Sequence, residues 1–183
     1  MTSTEFYNHL MPWKSAVIVA VDLMGGFSKE GKIPWVHPED FKWFQQHTKN
    51  NICVMGRTTY NDIDRKLGDM AEESILPNRE CYVVTSRPLK RMNATPIPTI
   101  ESLAKYRDEE NAHKTVFFIG GELIYKESVE LVDEAYVTII NTIVEGADRF
   151  FPVDYVAEHF KTMNASNAQT FDAVFTLLRR TSY

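Results

Sequence analysis

Asp40 is the residue around which chemistry can be built. Pro38 suits the first position of a helix, where its missing N–H has no partner to lose, so a helix is predicted from Pro38 with Glu39 and Asp40 in its first turn. Three and four residues beyond Asp40 come Trp43 and Phe44, on the same helical flank, with Phe41 beside them. The two acids can serve simply to complement the helix dipole. Trp35 favours a second reading, because it stands five residues before Asp40 at the end of a loop that contains Gly25, Gly26 and Gly31. Loop, tryptophan and carboxylate together suggest a lidded pocket.

Another set of residues suits phosphate. A buried strand, Asn51 to Met55, turns through Gly56 into a helix opened by Arg57, Thr58 and Thr59. Free N–H groups and the positive end of a helix dipole attract an anion there, and Arg57 adds a formal charge. The same residues can be only an N-cap and a surface arginine. The strand Val116 to Ile119 runs into Gly120 and Gly121, which let the backbone come close to a pyrophosphate, although neither a P-loop nor a Rossmann fingerprint is present. A third strand, Tyr82 to Ser86, ends in the hydroxyls of Thr85 and Ser86, with Arg87, Pro88, Lys90 and Arg91 just beyond. That is a seat for a monophosphate or an ordinary basic turn. Arg79 offers a planar fork that can hold both oxygens of a carboxylate, or it is a solvated turn residue.

The elements that must position these groups alternate. Ser15 to Val21 reads as a strand apolar on both faces, the kind found inside a parallel sheet covered by helices. Asp22 to Lys32 is a glycine-bearing loop suited to a closing lid. Thr99 to Glu110 is predicted as an amphipathic helix capped by Thr99, and Tyr136 to Ile140 as a fifth strand. Arg65 to Ser74 reads as a polar, acidic surface insertion, and Asp148 to Pro152 as structural. Phe160 to Met163 and Ala173 to Arg180 are expected to close the chain as antiparallel strands, joined by a turn near Asn164 to Asn167. The pattern implies an α/β fold with a mixed, largely parallel sheet of about eight strands flanked by helices.

With 183 residues, one domain suffices, and a chain of that size buries roughly 70% of its unfolded surface. The expected organisation is residues 1 to 14 as an N-terminal extension and 15 to 183 as the domain. In the extension, Phe6, Tyr7 and Trp13 either dock or leave the segment disordered. Net charge is −5 and the basic residues form no long block, which argues against a nucleic-acid grip and for a small-molecule partner. Cys53 and Cys81 stand alone, against a disulfide framework or a cysteine zinc site, and no metal is expected. The longest uninterrupted apolar run of the first strand, Ala16 to Val21, is too short for a membrane span. A cytoplasmic location, no membrane partner and a monomeric state are expected.

The pattern resembles the dihydrofolate reductase family over nearly all of the chain after about Lys14. The resemblance rests on Ile18 to Val21, the glycine loop, Ile33-Pro34-Trp35 with Asp40 after it, Met55-Gly56-Arg57-x-Thr59, Leu76 to Arg79, Gly120-Gly121 with Leu123-Ile124-Tyr125, and Asp148-x-Phe150-Phe151-Pro152. It implies NADPH-dependent reduction of 7,8-dihydrofolate to tetrahydrofolate, supplying one-carbon metabolism and thymidylate and purine synthesis, and a target for antifolates. Asp40 and Trp35 would be catalytic. The pteridine and its tail would meet the Ile18 carbonyl, Phe41, Phe44, Ile63 and Thr138, and Arg79 would hold the α-carboxylate of the glutamate. The nicotinamide end of NADPH would lie by Ala20, Gly26, Gly31 and Tyr125. Gly56, Thr58 and Thr59 would face its pyrophosphate, as would Gly120 and Gly121, followed by Glu122, Leu123 and Ile124. Arg57, Thr85, Ser86 and Arg87 would hold the 2′-phosphate. Asp40 needs a suitable pKa for its role. The helix N-terminus favours its anion by about 0.3 to 1 kcal/mol, less than one pKa unit, whereas burial among aromatics can favour the neutral acid by up to roughly 3 to 5 units, so a raised pKa is expected. Two rivals stand beside this reading. One is the same-fold pyrimidine reductase of riboflavin biosynthesis, and the other a non-catalytic binding or structural protein whose working surfaces are the extension and the Arg65 to Ser74 insertion.

Overall fold

A computed structural model describes residues 11–68 and 74–181. Its centre is β1 (Lys14–Val21), whose side chains are buried on both faces after the exposed Lys14. Around it stand β3 (Ile52–Gly56), β4 (Glu80–Val84), β5 (Ala94–Ile97), β6 (Thr115–Phe118), β7 (Glu134–Ile140), β9 (Phe160–Asn167) and β10 (Ala173–Arg180), in the eight-stranded order β5-β4-β3-β6-β1-β7-β10-β9. Pairing is parallel from β5 through to β7, and antiparallel from β7 to β10 and from β10 to β9. The mixed, largely parallel sheet of the expected fold class is therefore present.

Period-two alternation along β1 divides the core. Val17, Val19 and Val21 join the larger cluster on one face, while Ala16 and Ile18 pack on the other with Phe117 and Tyr136, under Trp43 and Phe44 of α1 (Pro38–Thr48). The remaining helices are α2 (Arg57–Leu67), α3 (Glu122–Ser128) and α4 (Val153–His159). A small sheet of β2 (Gly26–Ser28) and β8 (Arg149–Phe150) crosses the mouth of the glycine loop. Trp13 is buried, and its indole N–H donates to the Asn111 carbonyl at 3.1 Å. Met11 joins the core too, whereas Phe6 and Tyr7 lie outside the described residues.

Two local expectations are corrected, and one strand is added. The segment from Thr99 to Glu110 holds only a 3-10 helix, Glu101–Tyr106, and Thr99 does not cap it, its hydroxyl meeting that of Ser102 instead. Only Ile100 and Leu103 bury a fully apolar side chain there, and the reciprocal bonds between Asp108 and Asn111 divert the backbone into a turn. The second correction concerns the closing hairpin, whose turn is not at Asn164 to Asn167. Those residues continue β9, opposite Leu177 to Val174 of β10, and the chain reverses through Ala168 to Asp172. The polar letters mark an outer edge strand exposed on both faces rather than a turn. In addition, Ala94–Ile97 forms a strand, tolerating Pro96 because β5 lies at the edge of the sheet. The Arg65 to Ser74 insertion begins as the last turn of α2, and residues 69–73 lie outside the described ones.

Candidate active site

The site begins at the start of α1. His37 is its N-cap, with extended backbone, and its Nδ1 accepts the Asp40 N–H at 3.2 Å. Nε2 of the same ring meets Asp172 Oδ1 at 3.0 Å, so the imidazole links the helix to the β9–β10 turn. Glu39 adds a second tie, accepting the Gln169 N–H on its carboxylate at 3.1 Å. The helix that carries Asp40 is thus fixed from outside the pocket. Replacing His37 with Ala removes a helix cap, worth about 1 kcal/mol, and lowers the thermal midpoint by about 2 to 4 °C. His37→Asn, which retains a capping acceptor, recovers most of that loss in the same melting experiment.

Asp40 is half-buried. Burial pushes its carboxyl above the usual carboxylate range, as expected, while a hydrogen bond from the Thr138 hydroxyl and the charge of His37 pull the other way without cancelling it. Thr138 is buried on β7, opposite Ala20 of β1. Trp35 packs with Ala20 and Trp43 against Ile140, Ala168, Ala173 and Phe175. Trp43 lies 5.1 Å from the Phe175 ring, and its Nε1 is buried with no partner among the described residues, an unused donor in the aromatic wall. The Ile18 carbonyl accepts the Tyr125 hydroxyl at 3.0 Å. That phenol is pushed far up by burial and by the Asp40 charge.

Along the same flank of α1, the Arg79 guanidinium stands 5.8 Å over the Phe44 ring. Its Nε donates to Thr48 Oγ1 at 2.9 Å and its Nη1 to the Pro77 carbonyl at 2.6 Å, which orients the fork and leaves Nη2 for a ligand. Phe41, on the same helix, is exposed. Ile63 packs on the neighbouring cluster of Cys53, Met55 and Tyr60, which shares Ile119 with the one beneath Phe44.

A glycine cradle lies at the ends of β3 and β6. The Gly56 N–H donates to the Gly120 carbonyl at 2.7 Å, and the Gly120-Gly121 peptide is cis. A Cβ on Gly120, whose φ is +116°, would sit 3.2 Å from the Tyr125 ring, and one on Gly56 would meet Ile124 at 3.3 Å. On Gly121 it would enter space bounded by Thr59 Oγ1 at 3.5 Å. The N-terminus of α2 has neither a side-chain cap nor an acidic residue in its first turn, so the amides around Thr58 and Thr59 remain open to an anion. Backbone, hydroxyl and helix terminus together fit a diphosphate. Glu122 pairs with Lys126 at 3.2 Å, Ile124 is buried and Leu123 is exposed.

Arg57 reaches across to the turn after β4, its Nη1 donating to the carbonyls of Arg87 at 3.2 Å and Pro88 at 2.9 Å. Thr85 Oγ1 accepts the Arg87 N–H at 3.2 Å, beside the exposed Ser86. Arg91 does not join this group, because its Nε pairs with Asp64 at 2.6 Å. The basic cluster therefore narrows to Arg57, Arg87 and Lys90 at the turn.

The glycine loop is organised by a residue that the motif reading passed over. Asp22 is buried, and its carboxylate accepts N–H groups from Met24 and Gly26 at 2.8 Å and from Val144 at 2.9 Å. An aspartate two residues before a turn amide is a sequence signal that could have found it. A Cβ on Gly26 would fall 2.9 Å from Ala147, so the loop and the segment before β8 press together there. Gly31, at φ +72°, has open space around it.

A sequence profile described as dihydrofolate reductase matches residues 14–180. The chain belongs to the dihydrofolate reductase family. It is 33% identical over 134 residues to the dihydrofolate reductase of Buchnera aphidicola from Acyrthosiphon pisum, covering 73% of this chain and 76% of that one. The Haemophilus influenzae enzyme is 28% identical over 170 residues, with 90% and 98% covered. Among solved structures, dihydrofolate reductase from Enterococcus faecalis, complexed with NADP(H) and RAB-propyl, superposes with a TM-score of 0.74 at 27% identity, over 92% of this chain and 97% of that one. Within the family frame, the cap by His37 and the loop anchor at Asp22 each add a partner distant in sequence, Asp172 and Val144 respectively, to their local contacts.

Proposed function

We infer that the chain catalyses NADPH-dependent reduction of 7,8-dihydrofolate to 5,6,7,8-tetrahydrofolate. The observation that carries this is the Asp40 carboxyl: half-buried, hydrogen-bonded to Thr138 and held above the usual carboxylate range. Bound NADPH supplies the hydride, from nicotinamide C4 to C6 of the pteridine. Asp40 grips the amidine edge of the pteridine and promotes protonation at N5, while Thr138 orients the carboxyl. Trp35 closes the cleft over that edge and restricts water. The carbonyl of Ile18 and the rings of Phe41 and Phe44 position the heterocycle, Ile63 lines the cleft toward the tail, and Arg79 binds the α-carboxylate.

For the cofactor, Gly56, Thr58, Thr59, Gly120 and Gly121 form the pyrophosphate seat, continued by Glu122, Leu123 and Ile124. Arg57, Thr85, Ser86 and Arg87 take the 2′-phosphate, and Ala20, Gly26, Gly31 and Tyr125 surround the nicotinamide end. The protein acts as a cytoplasmic monomer, without nucleic-acid or membrane partners. A net charge of −5 weighs against a nucleic-acid grip, and no helix among the described residues is long and apolar enough to cross a membrane. Dihydrofolate-dependent loss of NADPH absorbance with the purified protein tests the assignment, and its absence contradicts it.

Arg79 gives a sharper test of the cleft. Arg79→Leu raises KM for dihydrofolate on the order of tenfold to a hundredfold, the cost of a charge-assisted pair, yet barely changes KM for a pterin without the glutamate tail. Equal effects on both substrates would place Arg79 elsewhere.

A further inference from the structure

We propose that Arg149 is a further cofactor-binding residue, the cation that faces the diphosphate bridge of the dinucleotide. The inference rests on reading the Gly56–Gly121 cradle as the diphosphate seat. Arg149 lies on β8, paired with Ser28 of β2, far in sequence from either cradle glycine. Yet a Cβ built on Gly121 would have only two non-neighbouring atoms within 4 Å, Thr59 Oγ1 at 3.5 Å and Arg149 Nη1 at 3.9 Å. The bare face of Gly121 therefore opens onto a hydroxyl and a guanidinium, both of them hydrogen-bond donors.

Among the described residues nothing neutralises that guanidinium. Arg149 is half-buried, and among the described residues its side chain makes no hydrogen bond or ion pair. Glu122, whose carboxylate reaches β8, is already committed, accepting the Phe150 N–H at 3.3 Å and pairing with Lys126 at 3.2 Å, and the exposed Asp148 beside Arg149 in the chain makes no ion pair with it. Two other arginines near the ligand seats are held by the protein, Arg57 by two carbonyls and Asn61, and Arg79 by Thr48 and Pro77, whereas Arg87 is exposed at the turn after β4. A half-buried, unpaired guanidinium against a glycine cradle suits a ligand group with two anionic oxygens, which its planar fork can hold together. The 2′-phosphate does not qualify, since its seat is at the turn after β4, where Arg57 is tethered.

The test is equilibrium titration of the full-length protein with NADPH, NADH and adenosine 2′-monophosphate, for wild type and for Arg149→Met, Arg149→Gln and Arg149→Lys. Expected is an equal weakening of NADPH and NADH, on the order of tenfold, in the Met and Gln variants, with most affinity retained by Lys. Adenosine 2′-monophosphate, which lacks the diphosphate, binds all four proteins alike. Unchanged affinity for both dinucleotides in the Met and Gln variants would overturn the proposal while leaving the cradle intact. Loss confined to NADPH would move Arg149 to the 2′-phosphate, and equal loss of adenosine 2′-monophosphate would make its role structural; either result overturns it. If the wild type binds neither dinucleotide, the cradle reading fails together with the proposal.

Discussion

Asp40→Asn should fold, bind NADPH as the wild type does, and turn over dihydrofolate at neutral pH on the order of a hundredfold more slowly or worse, the usual contribution of a positioned acid or base. Asparagine keeps the size and much of the hydrogen bonding but cannot hold the ionisable proton. Part of the rate should return at acid pH, where the substrate takes its proton from solvent. Stability supplies an independent readout. The Asp40 pKa is raised on folding, so between the ordinary carboxyl value and the raised one the native state binds more protons than the unfolded chain, and stability falls as pH rises through that window. Above it the ionised acid continues to destabilise the fold. Asp40→Asn lacks this linkage, so its difference in stability from the wild type should shift in favour of the variant as pH rises through the window, and level off above it. Unchanged turnover at neutral pH would remove Asp40 from the chemistry.

The second large effect concerns cofactor choice. NADPH differs from NADH by the 2′-phosphate, so discrimination depends on what Arg57, Ser86 and Arg87 gain from that group. Two charge-assisted contacts at about 1.5 to 3 kcal/mol each, with about 1.4 kcal/mol per factor of ten, give a wild-type preference on the order of a hundredfold or more once exposure of the seat is allowed for. Added salt should narrow it, because the seat is open to solvent. Arg57→Ala should weaken NADPH strongly and leave NADH nearly untouched, since Arg57 is tied to the turn after β4 rather than to the glycine cradle. Titration of both cofactors against wild type and variant measures this. Equal binding of NADH and NADPH to the wild type, or equal loss of both in the variant, would show the phosphate seat to be misplaced.

Much of this was legible in the sequence because the informative elements are buried or abrupt. The central strands are continuous apolar runs that a two-sided parallel sheet requires, and Pro38 with Asp40 two residues later marked the start of α1. What escaped notice was marginal or non-local. Ala94–Ile97 is four residues long and contains a proline, so nothing in its pattern competes with a turn. Phe160 to Met163 reads as a strand, but the second half of β9, Asn164 to Asn167, reads as a turn because an edge strand exposed on both faces has no alternation to display. His37 lies outside the usual N-cap set of Ser, Thr, Asp and Asn, and its partner Asp172 is 135 residues away. Arg149 belonged to a stretch read as structural, and only the fold brings it to Gly121.

The rate of NADPH oxidation in a single turnover with dihydrofolate, followed from acid to alkaline pH in wild type and Asp40→Asn, tests the central claim most directly. The account predicts a wild-type rate that falls as pH rises through an apparent pKa above the ordinary carboxyl range, and a variant rate that is lower throughout neutral pH and rises only as the solution becomes acid enough to protonate the substrate. Superimposable profiles, or no dihydrofolate-dependent oxidation in the wild type, would contradict it.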